Sequence, residues 1–412
     1  MLENSWSDLI KNRVYIFRLI IQYRQCDFRT ILITLIKMGY LVNNKTITTM
    51  TKSTDKIRIV LDSGVCVEAQ APVIVSASRS TDIPAFYADW FFERLKRGYS
   101  AWTNPFNGVT SYVAYCNTRF IVFWSKNPRP LLEHLDYLNE RNIGCYIQYT
   151  LNDYESEGLE KGVPPLEQRI ETFKMLVDKL GKGRVIWRFD PMILTDKISI
   201  CDLLEKVKNI GDQLKDYTEK LIFSFADITS YRKVKSNLEK NGINYIEWDE
   251  ASMNAFASKL SEMNRERGWN FKLATCGEEI DIEQYGIEHN HCVDDDLMIR
   301  FAYQDKDLMD FLKVDVRRVR PSTPSMFEEF DDEPSIPDGA IILTSDTYSI
   351  KHKNNKDKGQ RQFCGCIVSK DIGQYNTCPH MCEYCYANTS KDAAVANWKR
   401  HKQNPSGEKI IG

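Results

Sequence analysis

Cys378, Cys382 and Cys385 stand in the stretch TCPHMCEYCYAN, residues 377–388 of a 412-residue chain. Their C-x₃-C-x₂-C spacing places three thiols where they can wrap one side of a metal centre. Zinc and iron–sulfur clusters both accept thiolate. Structural zinc wants four closed ligands, usually as two C-x₂₋₄-C pairs. Here the unit is asymmetric, and its nearest companions are Cys364 and Cys366 in FCGC. A [4Fe–4S] cubane held by three cysteines keeps one iron open for a substrate or cofactor. From the residues alone, both metals stay open.

Twelve cysteines are many for a chain in which no export signal is expected, and five of them lie between residues 364 and 385. A disulfide framework does not suit a reducing cytosol, so this crowding points to metal. Cys276, at the end of an expected strand, and Cys292, in HNHCVDDD, could join Cys364 and Cys366 in a second [4Fe–4S] site. The plainer alternative makes Cys276 and Cys292 buried thiols and FCGC a turn. His289 and His291 flank Cys292, as a ligand or as ordinary loop histidines. Cys26, Cys66, Cys116, Cys145 and Cys201 read as buried structural thiols.

The elements that must position these groups follow a repeat. Short apolar runs predict buried strands at 73–78, 99–104, 119–125, 145–151, 184–190, 220–227 and 271–276. Helical patterns separate most of them, at 130–141, 166–180, 199–217 and 250–267. In TDIPAFYADWFFERLKRG, Asp82 is the expected N-cap and Pro84 sits in the first turn. Strand–helix alternation means parallel strands, and seven of them predict an α/β protein with a (β/α) barrel or partial barrel.

Polar residues replace apolar ones at the end of each predicted strand: Arg79, Asn104, Lys126, Asn152, Arg188 with Asp190, Asp227, and Cys276 with Glu278. In parallel barrels the carboxyl ends of the strands form the active face. The series predicts one shared cavity, although Arg188–Asp190 alone could be a scaffold ion pair and Asp227 alone an N-cap.

Four segments are expected: an N-terminal extension at 1–70, a barrel at 71–314, a linker or insertion at 315–358 and a cysteine-rich unit at 359–412. Residues 1–49 carry no motif, and Met50 offers a second start, so this stretch is expected to be dispensable. AIILTSDTYSI is expected to form a hairpin within the third segment. A net charge of −2 with 42% apolar residues describes a chain with ample core and no strong field for nucleic acid or membrane. No apolar run approaches the ~20 residues of a membrane span, and a cytoplasmic location is expected.

C-x₃-C-x-aromatic-C, met by Cys378, Cys382, Tyr384 and Cys385, resembles the signature of radical S-adenosylmethionine enzymes. The resemblance implies a [4Fe–4S] cluster on the three cysteines, with S-adenosylmethionine on its open iron and cleaved to a 5′-deoxyadenosyl radical. It also implies a full or partial (β/α) barrel and a flavodoxin- or ferredoxin-type reductant. Arg79, Asn104, Lys126, Asn152, Asp227 and Tyr384 would then serve the cofactor, and Arg188, Asp190 and Glu278 the reaction. Either Arg79 or Lys126 would suit the cofactor's carboxylate, and Glu278 its amine or ribose.

SASRSTDIPAFY, FWSKNP, WRFDPM, CGEEID and CGCIVSKDIGQYNTCPHMCEYCYAN are similar to the bacterial domain-of-unknown-function family number eighteen forty-eight. That family carries no assigned reaction. In radical S-adenosylmethionine enzymes the cysteine loop follows the first strand, whereas here it comes last. Circular permutation accounts for this, with GCIVSKDIG as the strand and TSKDAAVANWKRHKQ as the following helix. The substrate is not legible. The alternative function is a non-catalytic iron–sulfur or zinc-binding module on a barrel, associated with nucleic acid.

Overall fold

The structure, a computed structural model, describes residues 56–104, 107–319 and 336–412. Its centre is an eight-stranded sheet in which every pairing is parallel. In chain order the strands are β1 (Ile74–Ala77), β2 (Phe120–Ser125), β3 (Gly144–Thr150), β4 (Val185–Met192), β5 (Lys220–Phe225), β6 (Lys272–Thr275), β7 (Ile287–His289) and β8 (Lys370–Asp371). The first seven follow one another across the sheet. β8 pairs with β1 on its outer side, Lys370 opposite Val75 and Asp371 opposite Ser76. The strand that comes last in sequence thus lies beside the first, and β7 and β8 form the two edges.

Alternation along each strand sorts the residues to two faces. Odd positions such as Ile121, Phe123, Ile147, Trp187, Phe189 and Phe223 pack into a large core with the crossover helices. Two of these helices are α1 (Leu166–Leu180) and α2 (Ile200–Leu214). In α2, Leu203, Val207, Ile210 and Leu214 are buried at helical spacing, and Ser199 with Asp202 forms a capping box at its start. Each fully buried Leu or Phe on this side contributes about 1.5–3 kcal/mol.

Even positions face the other way. Ile74, Val122, Tyr146, Ile186, Ile222 and Ala274 form a second core with Cys292, Cys364 and Cys366. Further along the same face the strands turn polar: Trp124 and Lys126, Gln148 and Asn152, Arg188 and Asp190, Ser224, then Cys276. Of the expected polar strand ends, Lys126, Asn152, Arg188, Asp190 and Cys276 share this even-numbered register.

Tyr99–Thr103, expected in the central sheet, belongs elsewhere. It forms an antiparallel hairpin with Thr110–Ala114, which extends a further hairpin of Lys56–Val60 and Cys66–Gln70 into a four-stranded sheet. Only six residues separate Thr103 from Thr110, and a parallel crossover needs a dozen or more. Residues 56–70, read as part of an extension, are thus strands of this sheet. Residues 1–49 and Met50 lie outside the described residues, as does Cys26.

The expected hairpin at 341–351 is present as Ile341–Thr344 and Thr347–Lys351, with Val314–Arg318 as third strand. Residues 320–335 of the expected linker lie outside the described residues. Among the described residues, no helix is long and apolar enough to cross a membrane.

Candidate metal centre

The loop after β8 carries Cys378, Cys382 and Cys385, and helix α3 (Lys391–Gln403) follows it with Ser390 as N-cap. Met381, at φ 57°, turns the chain sharply between His380 and Cys382. Contacts from distant elements hold the loop. Tyr87 Oη donates to the Thr377 carbonyl at 2.5 Å, and Thr81 and Thr377 hydroxyls meet at 2.7 Å. The segment after β3 runs antiparallel beside the loop: Glu383 N donates to Leu159 O at 2.9 Å and Gly162 N to His380 O at 2.8 Å. A Cβ on Gly162 would lie 2.7 Å from the carbonyl oxygens of Pro379 and His380, so this approach requires glycine.

Cys382 is buried, and Cys378 and Cys385 are half-buried. Burial raises all three thiols, Cys378 to about 12, with the neighbouring Asp82 and Cys385 charges adding to it. For Cys382, Lys126 opposes the burial. A bound cation would release these protons, since metals take thiolate. Among the described residues, only His291, Asp294, Asp295 and Asp296 bring three or more such ligand atoms within 4.8 Å of one another. The cysteine trio is spaced more widely.

Beneath the loop lies a buried polar cluster. Lys126 Nζ donates to Glu160 Oε1 at 2.7 Å and to Tyr384 Oη at 2.9 Å. Asn152 Nδ2 donates to Glu160 at 3.1 Å and to Tyr384 at 3.0 Å, and its Oδ1 accepts from Asp190 N at 2.9 Å. Tyr384 Oη itself donates to Glu160. Burial opposes ionisation of Glu160, but Lys126 and Arg169 outweigh it and hold the carboxyl below its ordinary range. Lys126, Asn152 and Tyr384, read from the sequence as cofactor residues, are thus brought together and bonded to one another. Tyr384 anchors the cysteine loop to the ends of β2 and β3 through its hydroxyl.

Arg188 pairs with Asp190 and donates to Gln148 Oε1 at 3.3 Å and to Cys292 Sγ at 3.0 Å. Asp190 also accepts from the Ser224 hydroxyl. Glu278 accepts from Phe225 N at 3.0 Å, and burial lifts its carboxyl to about 7. Arg79 lies 5.2 Å over the Trp124 ring, and Arg188 lies 5.3 Å from the same ring. These residues line one face of the sheet.

Two expected members stand apart. Asp227 is exposed and accepts from Ser230 N at 3.3 Å, the local turn-capping role. Asn104 ends a strand of the four-stranded sheet, not of the central one. That strand still touches the cysteine unit, because Trp102 Nε1 donates to Gly373 O at 2.7 Å.

Glu160, His380 and the long-range role of Asp82 escaped the sequence reading. His380 carried a signal, a histidine inside the cysteine motif. Glu160 carried none, since it sits in a loop with no pattern of its own.

The second cysteine group also converges. Cys276 and Cys292 sulfurs are 3.3 Å apart. Cys366 comes against the residue after Cys292, through Val293 N and through Ile367 N donating to Val293 O at 3.0 Å, and Cys364 lies two residues before Cys366. Cys292 Sγ also accepts from Asn290 Nδ2 at 3.1 Å, and Cys366 Sγ from Val293 N at 3.3 Å. The Cys276 and Cys366 thiols, helped by Arg188, hold the Cys292 thiol well below its ordinary value. His289 and His291 are half-buried rather than exposed. Of the thiols expected to be buried, Cys145 is, whereas Cys66, Cys116 and Cys201 are exposed. Cys66 and Cys201 sit on the outer faces of a strand and a helix, and Cys116 in a turn, so local apolar neighbours in sequence did not enclose them.

The family profile described as domain of unknown function (DUF1848) matches residues 74–387, well over half of the chain. The chain belongs to this family. No curated protein and no solved structure matches it. The DUF1848 region begins at the first residue of β1 and ends just past Cys385. It therefore encloses the whole parallel sheet and both cysteine groups.

Proposed function

We propose that this DUF1848 protein is a radical S-adenosylmethionine-like enzyme on a permuted, partial (β/α) barrel. The observation that carries the reading is the place of the cysteine loop. It leaves the carboxyl end of β8, which pairs in parallel with β1, and a helix follows it. A strand–loop–helix unit that is last in the chain thus occupies the position beside the first strand.

The donor set fits a cluster better than zinc. Sulfurs around one zinc lie about 3.8 Å apart, from Zn–S bonds of ~2.3 Å in a tetrahedron. The trio is spaced beyond 4.8 Å as a group. His380, the residue that could complete a Cys₃His zinc site, has both ring nitrogens engaged, Nε2 with Asp82 at 2.7 Å and Nδ1 with Gly162 O at 3.1 Å. Cys378, Cys382 and Cys385 would hold a [4Fe–4S] cluster with one open iron. S-adenosylmethionine on that iron, reduced by a flavodoxin- or ferredoxin-type donor, would supply a hydrogen-abstracting 5′-deoxyadenosyl radical.

This chain's own residues would place the cofactor. Lys126 is committed to Glu160 and Tyr384 and fixes the loop. Arg79 donates to a neutral amide, Gln360, at 3.2 Å, and a guanidinium has five donors, so it retains capacity for a carboxylate. Glu278 uses one oxygen on Phe225 N and has the other to accept from an amine or ribose hydroxyl. Arg188, Asp190 and Ser224 hold one another and shape the floor beneath.

Anaerobically reconstituted protein should be brown, bleach on dithionite reduction, and form 5′-deoxyadenosine and methionine from S-adenosylmethionine. Cys382→Ala should abolish that cleavage. A colourless protein with one tightly held zinc overturns the proposal. A brown protein that never cleaves the cofactor leaves the non-catalytic iron–sulfur module.

A further inference from the structure

The geometry points to a second metal centre, a [4Fe–4S] cluster on Cys276, Cys292, Cys364 and Cys366 that joins the two edges of the parallel sheet. It rests on cysteines other than those of the radical chemistry and stands or falls separately.

The four residues come from three places. Cys276 directly follows β6, Cys292 lies just past β7, and Cys364 and Cys366 come shortly before β8. β7 and β8 are the opposite edges of the sheet, and among the described residues no ladder joins them. The gap is crossed at this point only by loop contacts, such as Ile367 N donating to Val293 O at 3.0 Å. A cluster with ligands on both sides would close what backbone hydrogen bonding leaves open.

The surroundings suit bound thiolates. Sulfur is a weak acceptor when neutral, yet Cys292 Sγ takes donors from Arg188, Asn290 and Cys276 at 3.0–3.3 Å. Cys366 Sγ accepts a backbone N–H. Hydrogen bonds to the sulfurs are a principal protein lever on iron–sulfur clusters. Four thiolates on an oxidised cubane carry about two net negative charges. Arg79, Arg188 and Arg361 all lie in the field of these sulfurs, while Asp190 acts against Cys276.

The four sulfurs are not gathered on one point as a single zinc requires, and the Cys276–Cys292 pair must part from 3.3 Å to ligate two different irons. Cys276 and Cys292 sulfurs meet at 3.3 Å, Cys366 Sγ sits on Val293 N, and no three ligand atoms of this group lie within 4.8 Å of one another. One zinc would need all four about 3.8 Å apart. Gly365, between two of the ligands, is a steric requirement: a Cβ there would lie 2.0 Å from the His291 ring. The glycine lets the Cys364–Cys366 segment lie flat against the residue before Cys292.

The test uses the full chain, reconstituted anaerobically with iron and sulfide. Wild type should hold about eight irons, and the Cys378→Ala/Cys382→Ala/Cys385→Ala variant about four, with matching sulfide. The retained cluster's electron paramagnetic resonance signal should not respond to S-adenosylmethionine. Cys276→Ser/Cys366→Ser should lose this iron and keep the responsive signal. If that variant does not fold, the triple variant still decides. No iron in the triple variant, a single zinc without sulfide, or a Cys276–Cys292 disulfide in place of metal overturns the proposal. About four irons in wild type that all survive in the triple variant would keep this centre and remove the first. Stripping metal from the triple variant should raise amide exchange at residues 287–293 and 366–371, and unchanged exchange there overturns the edge-joining role.

Discussion

Asp82 and His380, 298 positions apart in the chain, meet through a 2.7 Å hydrogen bond between Oδ2 and Nε2. The same buried carboxylate accepts from Ser125 Oγ at 2.6 Å, Lys126 N at 2.7 Å and Ala85 N at 3.0 Å. Burial opposes its charge, and His380 with the other donors overcomes that and holds the carboxyl below its ordinary range. One side chain thus caps the helical turn after β1, fixes the end of β2 and orients the cysteine loop.

Asp82→Ala should therefore cost far more than the ~1 kcal/mol of a lost cap. Leaving His380, Ser125 and Lys126 N without their acceptor should destabilise by about 3–5 kcal/mol. Denaturant unfolding reads this directly. A loss near ~1 kcal/mol would mean that the cap is its whole role.

Lys126→Met should leave Glu160 with Asn152 and Tyr384 as neutral donors and Arg169, whose Nη1 is 3.8 Å away, as its nearby cation. A loss of about 3–5 kcal/mol is expected. Adding Glu160→Gln should recover a substantial part, because the uncompensated buried charge is then gone. A double-mutant cycle showing plain additivity would mean that the two residues are not coupled.

Gly162→Ala should push the cysteine loop away, since the clash is with backbone oxygens that cannot rotate aside. Overpacking of this kind costs about 1–3 kcal/mol. The variant should also retain less iron after desalting. Normal stability with full iron would show that the loop does not need this close approach.

Alkylation under anaerobic native conditions should label Cys66, Cys116 and Cys201 and spare Cys145. In metal-loaded protein Cys378, Cys382 and Cys385 should resist as well, and chelation should make them reactive. Mass spectrometry of the labelled peptides checks each site. Labelling of the trio that ignores metal content would rule them out as ligands.

Much of the sheet could be read from the chain because side-chain alternation is a property of the strand itself. The runs at 73–78, 119–125, 145–151, 184–190, 220–227 and 271–276 each became a parallel strand, and most of their polar ends, Asp227 apart, fell on one face. The cap at Asp82, the helix after the cysteine loop and the hairpin at 341–351 were likewise local. β7 is too short to carry a period, β8 was expected within GCIVSKDIG from the resemblance rather than from a pattern, and Tyr99–Thr103 has a strand's pattern without saying which sheet it joins.

The sequence by itself determined three thiols at a metal-binding spacing, a repeating strand–helix order and a polar set at the strand ends. The sequence raised a last strand beside the first and a Cys276, Cys292, Cys364 and Cys366 group as expectations, and only the tertiary structure decided the β8–β1 pairing, the approach of Cys366 to Cys292 and the anchoring of the cysteine loop by Glu160 and Asp82. Local patterns state which way a side chain points. Which distant residue it then faces depends on strand pairing and on loops that return across the sheet, and neither leaves a periodic trace in the chain.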